Sequence, residues 1–218
     1  MNSGQEKELT ELVRLYVRTK RLVLSAEEMD PESKSNIAVF KEQRDALDHV
    51  MRALADVLDG EESDPPDPKY FTMQLEKARG HLFRAAYDAL DGLGVSCKIR
   101  IAKVMDGLSN EAIQAVHPQY YDHLVEIEKI EQQIVTHRQQ KDVGDRTLEN
   151  MDAYKNQVEK LYGYLRECQS RANALWEWQR RDGKRIWKEK VVLGLMIALL
   201  TALVTAPVTI LISYFVKK

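Results

Sequence analysis

The sequence predicts an all-α fold: a helical bundle, then a long coiled-coil-like helix, then one C-terminal transmembrane helix. Three observations carry that prediction. Apolar residues recur at spacings of three and four from end to end, and no run alternates apolar with polar residues as a half-buried strand does. From Met151 through Tyr154, Val158, Leu161, Leu165, Cys168 and Ala172 to Leu175 the steps run 3, 4, 3, 4, 3, 4, 3, a heptad seam. Val191 to Val216 is a run of about 26 residues without a charge, where about 20 suffice to cross a bilayer. The expected division is a bundle over 1–141, a long helix over 142–190 that packs on the bundle or self-associates, and a membrane span over 191–216.

Taken in order, the first helix is expected from Ser3, with Glu6 completing a capping box, to about Met29. Leu9, Leu12, Tyr16 and Val23 mark its apolar face. Asp30-Pro31 then reads as an N-cap followed by proline at the first helical position. The second helix runs to about Leu58, with Phe40, Leu47, Met51, Leu54 and Leu58 as its apolar stripe. Gly60 to Pro68 is an acidic, proline-rich break. A third helix is expected from about Lys69 to Leu93, with Phe71, Leu75, Ala78, Leu82, Ala86 and Ala89 on one side. Gly92 and Gly94 should end it, and a shorter helix should cover about Ser96 to Met105. Ser109 opens a short turn. Pro118 begins a longer helix to about Gln140, with Leu124, Ile127, Ile130 and Ile134 facing inward. Asp182-Gly183 reads as a joint ahead of the span.

The flanks of the apolar run set its orientation. Arg180, Arg181, Lys184, Arg185, Lys188 and Lys190 precede it, whereas Lys217 and Lys218 follow it. The larger basic cluster is expected in the cytoplasm, which makes this a tail-anchored, single-pass protein of the inner membrane with its N-terminus cytoplasmic. Trp176, Trp178 and Trp187 suit the membrane interface. As a straight helix the run would be about 39 Å long against a hydrocarbon core of about 30 Å. Tilt, or a bend at Pro207, takes up the difference. Two stripes lie within it. Gly194, Ala198, Ala202 and Ala206 form a small-residue face, and Thr201, Thr205, Thr209 and Ser213 a hydroxyl face. Small residues let helices approach closely in lipid and hydroxyls can bond across the contact, so a pore or helix-contact face is one expectation. The other is that each hydroxyl bonds its own backbone four residues earlier.

Composition narrows the chemistry. The chain has 218 residues and a formal net charge of −2, which argues against a strongly basic nucleic-acid binder on global charge, and no DNA partner is expected. Cys97 and Cys168 are far apart and suit a reducing compartment. The N-terminal residues lack the basic-then-apolar pattern of a signal peptide. No glycine-rich phosphate loop precedes a helix. His117 and His123, six apart, do not have metal-ligand spacing and read as surface or capping residues. Neither a metal nor a cofactor is expected.

One short string stands apart: Arg44-Asp45-Ala46-Leu47-Asp48-His49, continued by Val50-Met51-Arg52-Ala53 and echoed by His81-Leu82-Phe83-Arg84-Ala85-Ala86. It resembles the R-x4-6-H signature of the HEPN superfamily of all-helical domains, over about residues 1–140. The resemblance implies a helical bundle, often dimeric. Many such domains cut RNA without metal, in toxin–antitoxin, abortive-infection and CRISPR settings, with arginine and histidine of two protomers facing one cleft. Others are not nucleases, and some carry membrane segments and act as membrane effectors in phage defence. Arg44 and His49 would then be the catalytic pair. A histidine titrating near neutrality can take the proton of a ribose 2′-hydroxyl, and arginine can hold the scissile phosphate in a bidentate grip. On a regular helix, however, the two side chains diverge by about 140°. The alternative is that Arg44 is a buried or interface arginine and His49 a surface histidine. His81, Arg84, Asp88 and Asp91 share one polar face, and with His49 and Arg52 they could form a cluster, either a ligand pocket or a salt-bridge network.

Three functions follow as expectations. The first is a membrane-anchored, oligomerising effector that perturbs or permeabilises the membrane in bacterial antiviral defence. Its partners would be the lipid bilayer, further copies of itself, and RNA or an RNA-guided or other defence protein. The second is a membrane-tethered HEPN ribonuclease, and the third a non-catalytic scaffold or sensor.

Overall fold

The computed structural model describes residues 1–30, 32, 36–58, 69–143 and 147–216, without the side chains of 138–143, 186, 203, 204 and 206–216. Six helices follow one another: α1 (Ser3–Met29), α2 (Ile37–Leu58), α3 (Tyr70–Met105), α4 (Asn110–Val116), α5 (Tyr120–Val143) and α6 (Leu148–Val216). The fold is all-α, with no strand among the described residues. Two compact units result: Met1–Asp106 with Gln119–Ser170, and Gly107–Pro118 with Arg171–Lys218.

In the first unit α3 is the central helix. Phe71, Leu75, Leu82, Phe83, Tyr87, Leu90, Cys97 and Ile101 are buried on several of its faces, so it lacks a solvated side of the usual width. It is one helix, not the two expected. Gly92 and Gly94 lie inside it. Each costs about 1 kcal/mol in a helix interior, and burial of Leu93 between them and of Cys97, Ile101 and Met105 beyond them outweighs that cost. The stop is Gly107, which follows the C-cap Asp106 at φ 72°.

Three further boundaries depart from expectation. The N-cap of α1 is Asn2, whose Oδ1 accepts from Gln5 N at 3.0 Å, while Gln5 Oε1 accepts from Asn2 N at 2.8 Å. The capping box therefore sits one residue earlier than Ser3–Glu6. Asp30 closes α1 rather than opening α2, accepting from Glu32 N at 2.7 Å, and Asn36 caps the start of α2 through Ala38 N at 3.0 Å. Asp182-Gly183 is no joint, since α6 continues through it and Asp182 pairs with Arg185 at 2.7 Å within the helix.

The orientation of α2 is set by its packing. Its apolar stripe faces out: Phe40 is 54%, Leu47 60%, Met51 57% and Leu58 77% exposed. Val39, Ala46 and Ala53, seven residues apart, are buried instead. Small side chains let the helix backbone approach the core closely, and Glu42 and His49 on that side bond to α3. Tyr16 of α1 is also exposed, where Leu12, Leu15, Thr19, Leu22 and Val23 are buried.

The remaining walls of the first unit are α5 and the start of α6. Ile127, Ile130 and Ile134 are buried, whereas Leu124 is exposed. Met151, Tyr154, Val158, Leu161, Leu165 and Cys168 of the heptad seam are all buried within this unit. Arg18 grips Asp152 with Nη2 at 2.6 and 2.8 Å, Lys98 pairs with Glu131 at 2.6 Å, and the Tyr154 hydroxyl donates to Asp91.

In the second unit Ser109 caps α4 through Ala112 N at 3.2 Å, and its own N–H donates to Gln179 Oε1 at 2.6 Å. Gln179 Nε2 in turn donates to Gly107 O at 2.8 Å, and Arg171 to Val116 O at 3.3 Å. His117 is fully buried as the C-cap of α4, not a surface residue. Among the described residues no helix is long and apolar enough to cross a membrane. Of the run expected to span, the described side chains are those from Val191 to Ala202 and Thr205, so the transmembrane expectation rests on sequence.

Candidate functional site

A constellation of polar side chains lies between α2 and α3, in the first unit. Glu42 and His49 are seven residues apart on α2, and Gln74 and His81 seven apart on α3. Seven residues return to nearly the same helix face after two turns. Across the helix pair Glu42 meets His81 and His49 meets Gln74, the register of an antiparallel contact.

His49 Nδ1 lies 2.6 Å from Gln74 Oε1. With Gln74 accepting, Nδ1 carries the proton and Nε2 the lone pair. His81 Nδ1 lies 2.8 Å from Glu42 Oε2 and 2.7 Å from Arg84 Nη2. It can serve one of them at a time: protonated it donates to Glu42, unprotonated it accepts from Arg84. Arg84 Nε also donates to Glu42 Oε2, at 2.7 Å. The two imidazoles stack with centroids 5.3 Å apart and planes 24° from parallel. Among the described residues no protein group bonds either Nε2.

Burial pushes the Glu42 carboxyl upward, but the bonds and charges of Arg84 and His81 together outweigh it and hold Glu42 below its ordinary value. The carboxylate therefore stays ionised at neutral pH, and Arg84 is committed to it. What the cluster offers chemically is two stacked imidazoles, each held at one nitrogen and open at the other, which is equipment for moving a proton.

Arg44 does not join it. Its side chain is 74% exposed and donates to Asp45 from Nε at 3.0 Å and from Nη2 at 2.6 Å. That bond, chiefly, holds the Asp45 carboxyl below its ordinary value. Within one chain Arg44 and His49 diverge as helix geometry leads one to expect; the arginine is solvated and paired with a carboxylate, and the histidine is half-buried rather than on the surface. Arg52 pairs with Asp48 at 2.9 Å on the outer side of α2. Asp88 lines a separate acidic groove with Asp30 and Asp91. Of the expected cluster the structure thus brings together His49, His81 and Arg84. The residues missed were Glu42 and Gln74. Their seven-residue spacing to the two histidines was the available signal.

The second candidate face is on α6. Gly194, Ala198, Thr201, Ala202 and Thr205 are exposed. Thr201 Oγ1 donates to Ile197 O and Thr205 Oγ1 to Thr201 O, each at 2.8 Å. Both hydroxyl protons are thus used within the helix. The side chains of Ala206, Thr209 and Ser213 lie outside the described residues. No protein-family model, curated protein or solved structure matches the chain.

Proposed function

We propose that this chain is a membrane-anchored, self-associating helical effector that perturbs or permeabilises the inner membrane. One observation carries the reading. The described part of the apolar run, including Val192, Leu193, Leu195, Met196, Ile197, Leu199 and Leu200, is exposed, and these residues lie all around α6. A helix apolar on every side requires apolar surroundings. Leaving such side chains in water forfeits about 1.5–3 kcal/mol each. Lipid, or lipid and further copies of the chain, would recover it. The basic cluster from Arg180 to Lys190 favours an inward-facing N-terminus. The assignment to antiviral defence rests on the HEPN resemblance alone.

The test is dye release from liposomes. The full chain is expected to release an encapsulated dye, and the combined changes Thr201→Leu, Thr205→Leu and Thr209→Leu to abolish release. Unchanged release by the triple variant rejects a path lined by these residues. No release by the parent chain rejects permeabilisation.

A second reading, a membrane-tethered ribonuclease, is favoured by the open Nε2 of His49 beside the His81 ring. His49→Ala should then remove RNA cleavage and leave membrane insertion intact. A chain that neither cuts RNA nor releases dye, and is monomeric in detergent, is a scaffold or sensor instead.

A further inference from the structure

Charge is sorted by side on the stretch of α6 that leads into the apolar run, in the second unit. Arg181 pairs with Glu177 at 3.2 Å, and Arg185 with Asp182 at 2.7 Å and with Glu189 at 3.9 Å. Those two cations are compensated within the helix. Arg180, Lys184 and Lys188 are exposed, step by four, and make no ion pair or hydrogen bond among the described residues. Residues four apart advance about 40° around a helix, so the three fall within about 80°. Trp187, 66% exposed, and Trp176, 49% exposed, lie about 20° and about 40° beyond Arg180 on the same side. Asn173, Trp176, Glu177, Gln179 and Arg180 line a hollow of about 560 Å³ at the N-terminal end of this face. Lys190 is exposed too, but about 160° from Lys188.

We propose that this face of α6 binds the phosphate headgroups of anionic phospholipids, with Arg180, Lys184 and Lys188 as the cations and Trp187 as the interfacial anchor. The proposal names the lipid for the membrane contact proposed above and rests on that reading. Three observations point to lipid. The first is depth. At about 1.5 Å per residue, Lys188 stands about 4.5 Å and Trp187 about 6 Å ahead of Val191. The polar layer on one side of a bilayer is about 5–8 Å deep, so both lie inside it. Lys184, about 10 Å out, reaches it with its long stem. The second is tilt. A straight run of about 39 Å fits a core of about 30 Å when inclined by about 40°. Inclination lowers one side of the helix onto the headgroups. Lowering this side sets three uncompensated cations against phosphate, and the opposite side carries Asp182 and Glu189. The third is the company the cations keep. Tryptophan rings settle at headgroup level, and Val191, where the apolar run begins, lies between Arg180 and Lys184 around the helix. A nucleic-acid backbone also attracts lysine and arginine, but it gives no reason for the face to end in apolar surface. Near an anionic membrane each such cation contributes about fivefold in affinity, and the Arg180 guanidinium can grip a phosphate through two parallel bonds.

The test is the lipid that the full chain retains. Purified in mild detergent from vesicles of phosphatidylcholine with a minority of phosphatidylglycerol, the parent should carry phosphatidylglycerol enriched about fivefold or more over the bulk ratio. Lys184→Gln with Lys188→Gln should remove the enrichment. Lys188→Gln alone should lower it about threefold. Lys190→Gln removes the same charge closer to the apolar run but on the other side, and should leave the enrichment in place. All three positions are exposed, so helix content should not change. Equal loss in Lys188→Gln and Lys190→Gln means that net charge alone attracts the lipid, and overturns the assignment of this face. A parent without enrichment, or a double variant that keeps it, overturns it as well. A parent chain missing from the membrane fraction rejects the membrane reading itself, and the inference falls with it. If the lipid-free parent in detergent binds single-stranded RNA, and the double variant loses that binding while its phosphatidylglycerol enrichment persists, the occupant is a nucleic acid and the proposal is overturned.

Discussion

Glu42 shows how one carboxylate can fix a helix pair. It accepts from Arg84 at 2.7 Å and lies 2.8 Å from His81, and it is mostly buried. Glu42→Gln should destabilise the protein by about 1–3 kcal/mol at pH 7, because a half-buried guanidinium loses its charged acceptor. The pH dependence has a definite sign. A carboxyl whose pKa is depressed in the folded state stabilises at pH above its ordinary value near 4.5, and that stability is lost as pH falls through the folded value. The gap between the parent and Glu42→Gln should therefore close on acidification below the ordinary carboxylate range. Urea unfolding at a series of pH values checks this, and a gap that widens in acid would refute it. Cys97 is the opposite case: burial pushes its thiol up to about 11, so it is an inert packing group.

At the scale of elements, α2 and α3 show where helix signals mislead. The stripe of Phe40, Leu47, Met51 and Leu58 was legible as a stripe, but its direction was not. Periodicity shows that a helix has a face and says nothing of what covers it. The small residues Val39, Ala46 and Ala53 and the bonding pair Glu42 and His49 took the inward side. The glycines of α3 were read as stops because local propensity favours one there, and packing on the helix overrode them. Gly92 makes this testable. A Cβ built there meets nothing within 4 Å, and the backbone is helical. Gly92→Ala should raise stability by about 0.5–1 kcal/mol, mainly by restricting the unfolded chain. Thermal unfolding would show it, and a lowered midpoint would mean the site is less open than this packing indicates. Gly107 at φ 72° should behave oppositely, since alanine there is strained.

For the whole molecule, the heptad seam and the apolar run divide the labour of α6. The seam residues Met151, Tyr154, Val158, Leu161, Leu165 and Cys168 are buried within the first unit, so that part of the seam is not free to gather copies. Among the described residues, the side chains of the apolar run are exposed and remain available for association. Loss of dye release in the triple threonine variant belongs at this scale, since it requires the span, the lipid and neighbouring copies together. The hydroxyl bonds of Thr201 and Thr205 to their own backbone make it a demanding test.

The sequence by itself determined the helices, most of their ends within a few residues, the seam and the uncharged run. All of these depend on local spacing and composition, which a linear reading contains. The tertiary structure alone decided that α3 is one helix, that α2 turns its large apolar residues outward, and that His49 stacks on His81. Those outcomes depend on which faces meet. Contacts between Glu42 and His81, or His49 and Gln74, join residues far apart in the chain, and no local period encodes them.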